Sequence, residues 1–213
     1  MVKEFDDPSQ SALHLVFDAT QVWGEGRETT LEYAIKIVAS AAFYAHGIGV
    51  PVQVSGGGIE NARVSHESGG LTWPDLLRQL ALVAPGDGRG LAETLAELPP
   101  GSSVLAAASL SGGSTVQLLA RTAPVHQRMV VVSLEGFGQE EAGSPNDGVA
   151  WEGTPETLSL QPLAASGAAI VRCHKGRLTE ALDALGRADA FGGAATRRAG
   201  QPVPHTVSGT ADG

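Results

Sequence analysis

Four short apolar runs punctuate this chain, Ala12 to Asp18, Val104 to Ala108, Met129 to Leu134 and Ala168 to Cys173. Each is near-continuous rather than alternating, and each is too brief for a typical helix. Such runs read as strands buried on both faces, the pattern of a parallel sheet covered by helices. Stretches of helical period separate them, as the crossover connections of parallel strands require.

The first of those stretches is the longest. Thr29 and Glu32 fit a capping box, and Leu31, Ala34, Ile35, Val38, Ala42 and Ala45 recur at helical spacing until Gly47, which predicts a helix over about 30–46. Gln21 to Glu28, ahead of it, reads as a turn-rich segment. Val50 to Ser55 and Ala62 to His66 alternate across Gly56-Gly57-Gly58 as a hairpin that supplies one antiparallel edge strand. Thr72 caps a predicted helix with Pro74 and Asp75 in its first turn and Leu76, Leu77, Leu80 and Val83 on its inner face. A shorter helix carries Leu91, Leu95 and Leu98. Val116, Leu118 and Leu119 mark another, and Leu178, Leu182 and Leu185 a last one after Gly176. Gly136 to Pro155 is rich in Gly, Glu, Asp and Pro and reads as a long acidic loop; from Gly192 onward no period remains. The expectation is a three-layer, Rossmann-like α/β domain over 1–190, its sheet mostly parallel with one antiparallel edge strand, and a disordered tail over 191–213.

Charge narrows the function. Fourteen basic residues stand against 23 acidic ones, a formal charge of -9, which disfavours nucleic acid and anionic lipid surfaces as partners. No apolar run reaches the roughly 20 residues of a membrane-spanning helix. The opening residues have no export signal pattern, and a single cysteine, Cys173, excludes an internal disulfide, so a cytoplasmic location is expected. Cys173 and its neighbour His174 should face opposite sides of a strand, with the thiol in the core.

In open parallel sheets ligands gather beyond the carboxyl ends of the strands. Two such ends carry chemistry here. After the first strand come Asp18, Thr20 and, two residues beyond Gln21, Trp23; a carboxylate, a hydroxyl and an aromatic able to anchor a partner side chain. After Val104 to Ala108 come Ser109-Leu110-Ser111-Gly112-Gly113, a small-residue turn into a helix. Asp18 there either binds an ion or caps its turn through backbone amides. The Ser111 turn holds only fragments of enzyme motifs. Gly113 matches a hydrolase elbow whose leading glycine is replaced by Ser109, with Asp147 and His174 following in triad order, and Gly112-Gly113 alone falls short of a dinucleotide fingerprint. The six histidines lie on different elements without metal-ligand spacing.

The order of elements, the opening Val2-Lys3-Glu4-Phe5 and Asp18 resemble the bacterial domain-of-unknown-function family fifty-eight, a branch of the von Willebrand factor A-like domains. In that fold the first strand ends in Asp-x-Ser-x-Ser, and its oxygens, a loop threonine and a later aspartate hold magnesium. Here Thr20 replaces the first serine, Val22 the second, and Ser109, Leu110 and Ser111 stand where the later aspartate belongs. The resemblance therefore implies a degenerate metal site, with no cofactor and no metal. Family members carry a longer N-terminal portion, usually with two membrane helices, and the resemblance implies work beside a MoxR-type AAA ATPase in a membrane- or envelope-associated complex. The expected function is a non-catalytic protein-interaction domain that binds its partner through Asp18, Thr20, Trp23, Ser109 and Ser111; the alternative is a serine hydrolase or nucleotide-binding enzyme using the Ser111 turn.

Overall fold

A computed structural model describes residues 12–64, 70–111, 113–138 and 160–187 of the 213. The first apolar run forms strand β1, Leu13–Phe17. A small hairpin of β2, Gly24–Glu25, and β3, Glu28–Thr29, precedes helix α1, Thr30–Gly47. Strands β4, Val52–Gly56, and β5, Ile59–Val64, lead to helices α2, Trp73–Leu82, and α3, Leu91–Ala96. Then come β6, Ser103–Ala108; α4, Gly113–Thr122, with a 3₁₀ turn at Ala123–Val125; β7, Arg128–Glu135; α5, Gln161–Ala165; β8, Ala169–His174; and α6, Leu178–Arg187.

The main sheet has six strands in the order β5-β4-β1-β6-β7-β8, and only the β4–β5 pairing is antiparallel. The protein is thus a three-layer α/β fold with a mostly parallel sheet and one antiparallel edge strand.

Side-chain alternation along the central strands divides the interior into two cores, one on each face of the sheet. Leu13, Leu15 and Phe17 of β1, Leu105 and Ala107 of β6 and Val130, Val132 and Leu134 of β7 pack beneath α1, α2 and α6. Their neighbours Val16, Val104, Ala106, Ala108, Met129 and Val131 pack beneath α3, α4 and α5. This double burial is why the runs are continuous in the sequence. Helix α1 lies over the middle of the first face. Its buried stripe runs through Ala34, Ile37, Val38, Ala41, Ala42 and Ala45, where four alanines let the helix approach the strands closely. Burying one side chain such as Ile37 contributes about 1.5–3 kcal/mol.

The caps follow the sequence. The Thr29 side chain accepts the Glu32 N–H, and Thr72 accepts the Asp75 N–H at 3.4 Å while its hydroxyl donates to Asp75 Oδ2. That last bond holds the Asp75 carboxyl below the usual carboxylate range.

The structure corrects the sequence reading in several places. Leu77 does not face the core: Leu76 and Leu80 fix the buried stripe of α2, and Leu77, one position round, is 40% exposed. Val83 lies past the helix end and is half-buried. The second hairpin strand begins at Ile59, because Gly57 and Gly58, both at positive φ, complete the turn without the residues that follow. The turn-rich segment folds back as β2 and β3, and α5 was not expected at all. Most of the acidic loop, His66 and the domain boundary at 190 lie outside the described residues. Among the described residues no helix is long and apolar enough to cross a membrane.

Candidate functional site

The strand order sets where a site can form. From β1 the chain crosses to β4 on one side, whereas β6, on the other side of β1, leads on to β7 and β8. The crevice between the carboxyl ends of β1 and β6 is therefore the topological switch point. Parallel register pairs Phe17 with Ala107, and the Asp18 N–H donates to the Ala107 carbonyl at 3.3 Å. The pairing brings the two sequence-predicted segments, Asp18–Thr20 and Ser109–Ser111, side by side.

Asp18 closes its own turn. Its Oδ1 accepts from the Thr20 N–H at 2.8 Å and from the Thr20 hydroxyl at 2.7 Å. This is an Asx turn, in which the carboxylate replaces the acceptor a backbone carbonyl would supply. Between the two residues Ala19 is fully buried, and its carbonyl accepts the Gly86 N–H at 2.7 Å, tying the turn to the α2–α3 loop. Across the crevice the Ser109 hydroxyl donates to Ser111 Oγ at 3.2 Å and accepts the Ser111 N–H at 3.4 Å. Leu110, between the serines, is buried in the second core.

Trp23 does not stand free in the crevice. Its N–H donates to Thr30 Oγ1 at 3.0 Å and its carbonyl accepts the Thr30 N–H at 2.9 Å, which clamps the loop to the start of α1. The half-buried indole packs against the first core, with Nε1 buried and no hydrogen-bond partner among the described residues. Val22 packs against the same core.

These residues suit a divalent cation poorly. Magnesium needs carboxylate charge to offset the loss of its water shell. The crevice offers one carboxylate, with one oxygen already committed to two hydrogen bonds, and three neutral hydroxyls. Val22 and Leu110, beside these oxygens, are committed to packing.

The triad reading fares no better. Strand β7 separates β6 from β8, so Ser111 and His174 leave strands roughly 10 Å apart. Ser111 is instead partnered by Ser109, and Asp147 lies outside the described residues.

Sequence reasoning missed a second cluster at the ends of β7 and β8. Glu135 pairs in register with His174. Its Oε1 accepts from the Ser133 hydroxyl at 2.9 Å and lies 3.7 Å from Arg172 Nε, and its Oε2 lies 3.6 Å from His174 Nδ1. Nearby, the Tyr33 hydroxyl accepts the Gly176 N–H at 2.8 Å and donates toward the Glu28 carboxylate, while its ring meets Phe137 edge-on at 4.9 Å. Aligning the carboxyl ends of the Met129–Leu134 and Ala168–Cys173 runs was the available signal, because parallel pairing sets the residues that follow them opposite each other. Between the exposed Arg172 and His174, Cys173 points into the core. Burial, aided by the Glu135 charge, pushes its thiol up to about 11, so it is held as the neutral thiol.

No protein-family model matches this chain, and no curated protein matches it.

Proposed function

We propose that this chain is a non-catalytic protein-interaction domain of the von Willebrand A type, akin to the domain-of-unknown-function family fifty-eight, that binds a protein partner across the β1–β6 crevice. The observation that carries the reading is the pairing of β1 with β6. It joins the Asp18–Thr20 turn and the Ser109–Ser111 turn into one polar surface at the switch point of the sheet. A single antiparallel edge strand beside an otherwise parallel sheet supports the same reading.

The surface has the character of a contact rather than of a reaction centre. Its hydroxyls and carboxylate hydrogen-bond locally, Thr20 to Asp18 and Ser109 to Ser111, within turns of two residues. Such a surface offers hydrogen-bond acceptors and one negative charge, with the exposed part of Trp23 beside them. Under this reading the partner is a MoxR-type AAA ATPase, in a complex associated with the membrane or envelope.

The test is direct binding of the purified chain to the MoxR-type ATPase of the same organism. Asp18→Ala and Ser111→Ala should each weaken binding about tenfold, the effect of losing one well-placed interfacial group. Circular dichroism serves as the check on folding. Equal affinity for wild type and both variants removes the proposal.

A further inference from the structure

A cleft of about 490 Å³ opens between β5, the end of α2 and the loop leading to α3. That volume falls in the range of ligand and side-chain pockets, roughly 300–1,000 Å³. Ile59, Ala62, Leu71, Leu82 and Val83 give it apolar walls. Leu82 is 81% exposed and presents an apolar flank to whatever enters.

The charged groups lining the cleft are of one sign. Glu60 and Asp87 line it with Gln79, and none of its described lining residues is basic. The two carboxylates are brought to one mouth by a close backbone approach: a Cβ on Gly88 would collide with the backbone nitrogen of Gly58. Asp87 Oδ2 accepts the Ala84 N–H at 2.8 Å, which leaves Oδ1 without a hydrogen bond among the described residues. Arg89 also reaches Glu60, at 3.3 Å, and pairs with Glu97 as well. Glu60 thus already accepts a guanidinium of the chain itself. Even so, Arg89 is shared between Glu60 and Glu97, and Asp87 has no ion pair among the described residues, so the rim stays negative.

We propose that the cleft receives an arginine side chain of the protein partner, its aliphatic stem against Leu71, Leu82 and Val83 and its guanidinium at Glu60 and Asp87. A cation on an apolar stem matches both halves of the lining. The proposal rests on reading the neighbouring crevice as a partner surface. The two are tied together, because the Gly86 N–H, next to Asp87, donates to the carbonyl of Ala19, next to Asp18.

The probe is N-acetyl-leucyl-arginyl-leucinamide, titrated into the full chain and followed by amide chemical shifts. Its counterpart carries citrulline, which keeps the shape of arginine without the charge. Saturable shifts centred on Ile59, Ala62 and Leu82 are expected. Affinity should fall about tenfold with citrulline, or in the Glu60→Gln/Asp87→Asn variant, as the loss of two partly exposed charge contacts predicts. Asp87→Asn keeps an oxygen for the Ala84 N–H, so this variant should fold. Ala62→Leu, which fills the cleft and leaves its charges alone, should abolish the shifts. No saturation by about 10 mM peptide, equal affinity for arginine and citrulline, or shifts centred elsewhere overturns the proposal. Binding of the ATPase separates this proposal from the broader one: sensitivity to Asp18→Ala with indifference to Ala62→Leu leaves the interaction domain standing and removes the cleft.

Discussion

Asp18 is the residue on which the turn-capping and ion-binding accounts differ most, and a short substitution series separates them. Its Oδ1 accepts two bonds, from the Thr20 amide at 2.8 Å and the Thr20 hydroxyl at 2.7 Å. A net hydrogen bond contributes about 0.5–1.5 kcal/mol, and because Thr20 is exposed to competing water the lower half of that range applies to each. Asp18→Ala should therefore cost about 1–2 kcal/mol. Asp18→Asn keeps an oxygen acceptor for both donors and should cost only a few tenths of a kcal/mol. Thr20→Val removes the hydroxyl bond alone, for about 0.5 kcal/mol. With a urea dependence of about 2 kcal/mol per molar, the Ala variant should unfold about 0.5–1 M earlier than wild type and the Asn variant about 0.2 M earlier. Equilibrium urea unfolding by circular dichroism, with and without millimolar magnesium, reads all of these. A wild-type midpoint that climbs with magnesium while that of Asp18→Ala stays flat would refute the reasoning, since the carboxylate would then be serving a cation rather than its turn.

Gly57 sits at φ 56 with space for no side chain, since a Cβ there would run into Val83 and the Phe17 ring; Gly57→Ala should cost about 2–4 kcal/mol, and a thermal midpoint within a degree of wild type would contradict the packing described. Cys173, with its thiol pushed up to about 11, should resist a thiol reagent at pH 8 in the native chain and react fully in denaturant; rapid native labelling would contradict its burial. His126 is buried with neither ring nitrogen hydrogen-bonded among the described residues, and burial lowers its pKa from the ordinary 6.5. The folded state then binds fewer protons than the unfolded one, so stability present above pH 6.5 is lost as pH falls below that value toward the depressed folded pKa. His126→Gln should show a shallower loss between about pH 6.5 and 5 in urea unfolding, and identical slopes for the two chains would count against this account.

What could be read from the sequence was what depends on short separations. The four apolar runs needed no partner to identify them, because burial on both faces is written into each run separately. Thr29 and Thr72 were legible as caps for the same reason: the bonds they make reach three residues. The Asp18 turn and the Ser109–Ser111 contact span two residues each, so the polar surface at the switch point was visible before its strands were known to be neighbours. Leu77 was misplaced because an i, i+1 pair of leucines does not say which of the two faces the sheet; Leu76 and Leu80, four apart, decide it. The hairpin of β2 and β3 escaped notice since two-residue strands leave no alternation to detect.

Register and loop packing are different in kind. The contact between Glu135 and His174 exists only because β7 and β8 pair in one register, and a shift of two residues would set Ser133 against His174 instead. The cleft at Glu60 and Asp87 depends on Gly88 resting against Gly58, two glycines whose nearness no local pattern announces. This division bears on function. The locally encoded surface at Asp18 and Ser111 is polar but self-satisfied, so under the proposed function it offers a partner only modest affinity on its own. The cleft contributes what that surface lacks, apolar area together with unbalanced charge, and it is held beside the Asp18 turn by the Gly86–Ala19 hydrogen bond. Under the proposed function, specific recognition on this scaffold depends on the two acting together, with the turn fixing position and the cleft choosing the side chain it admits.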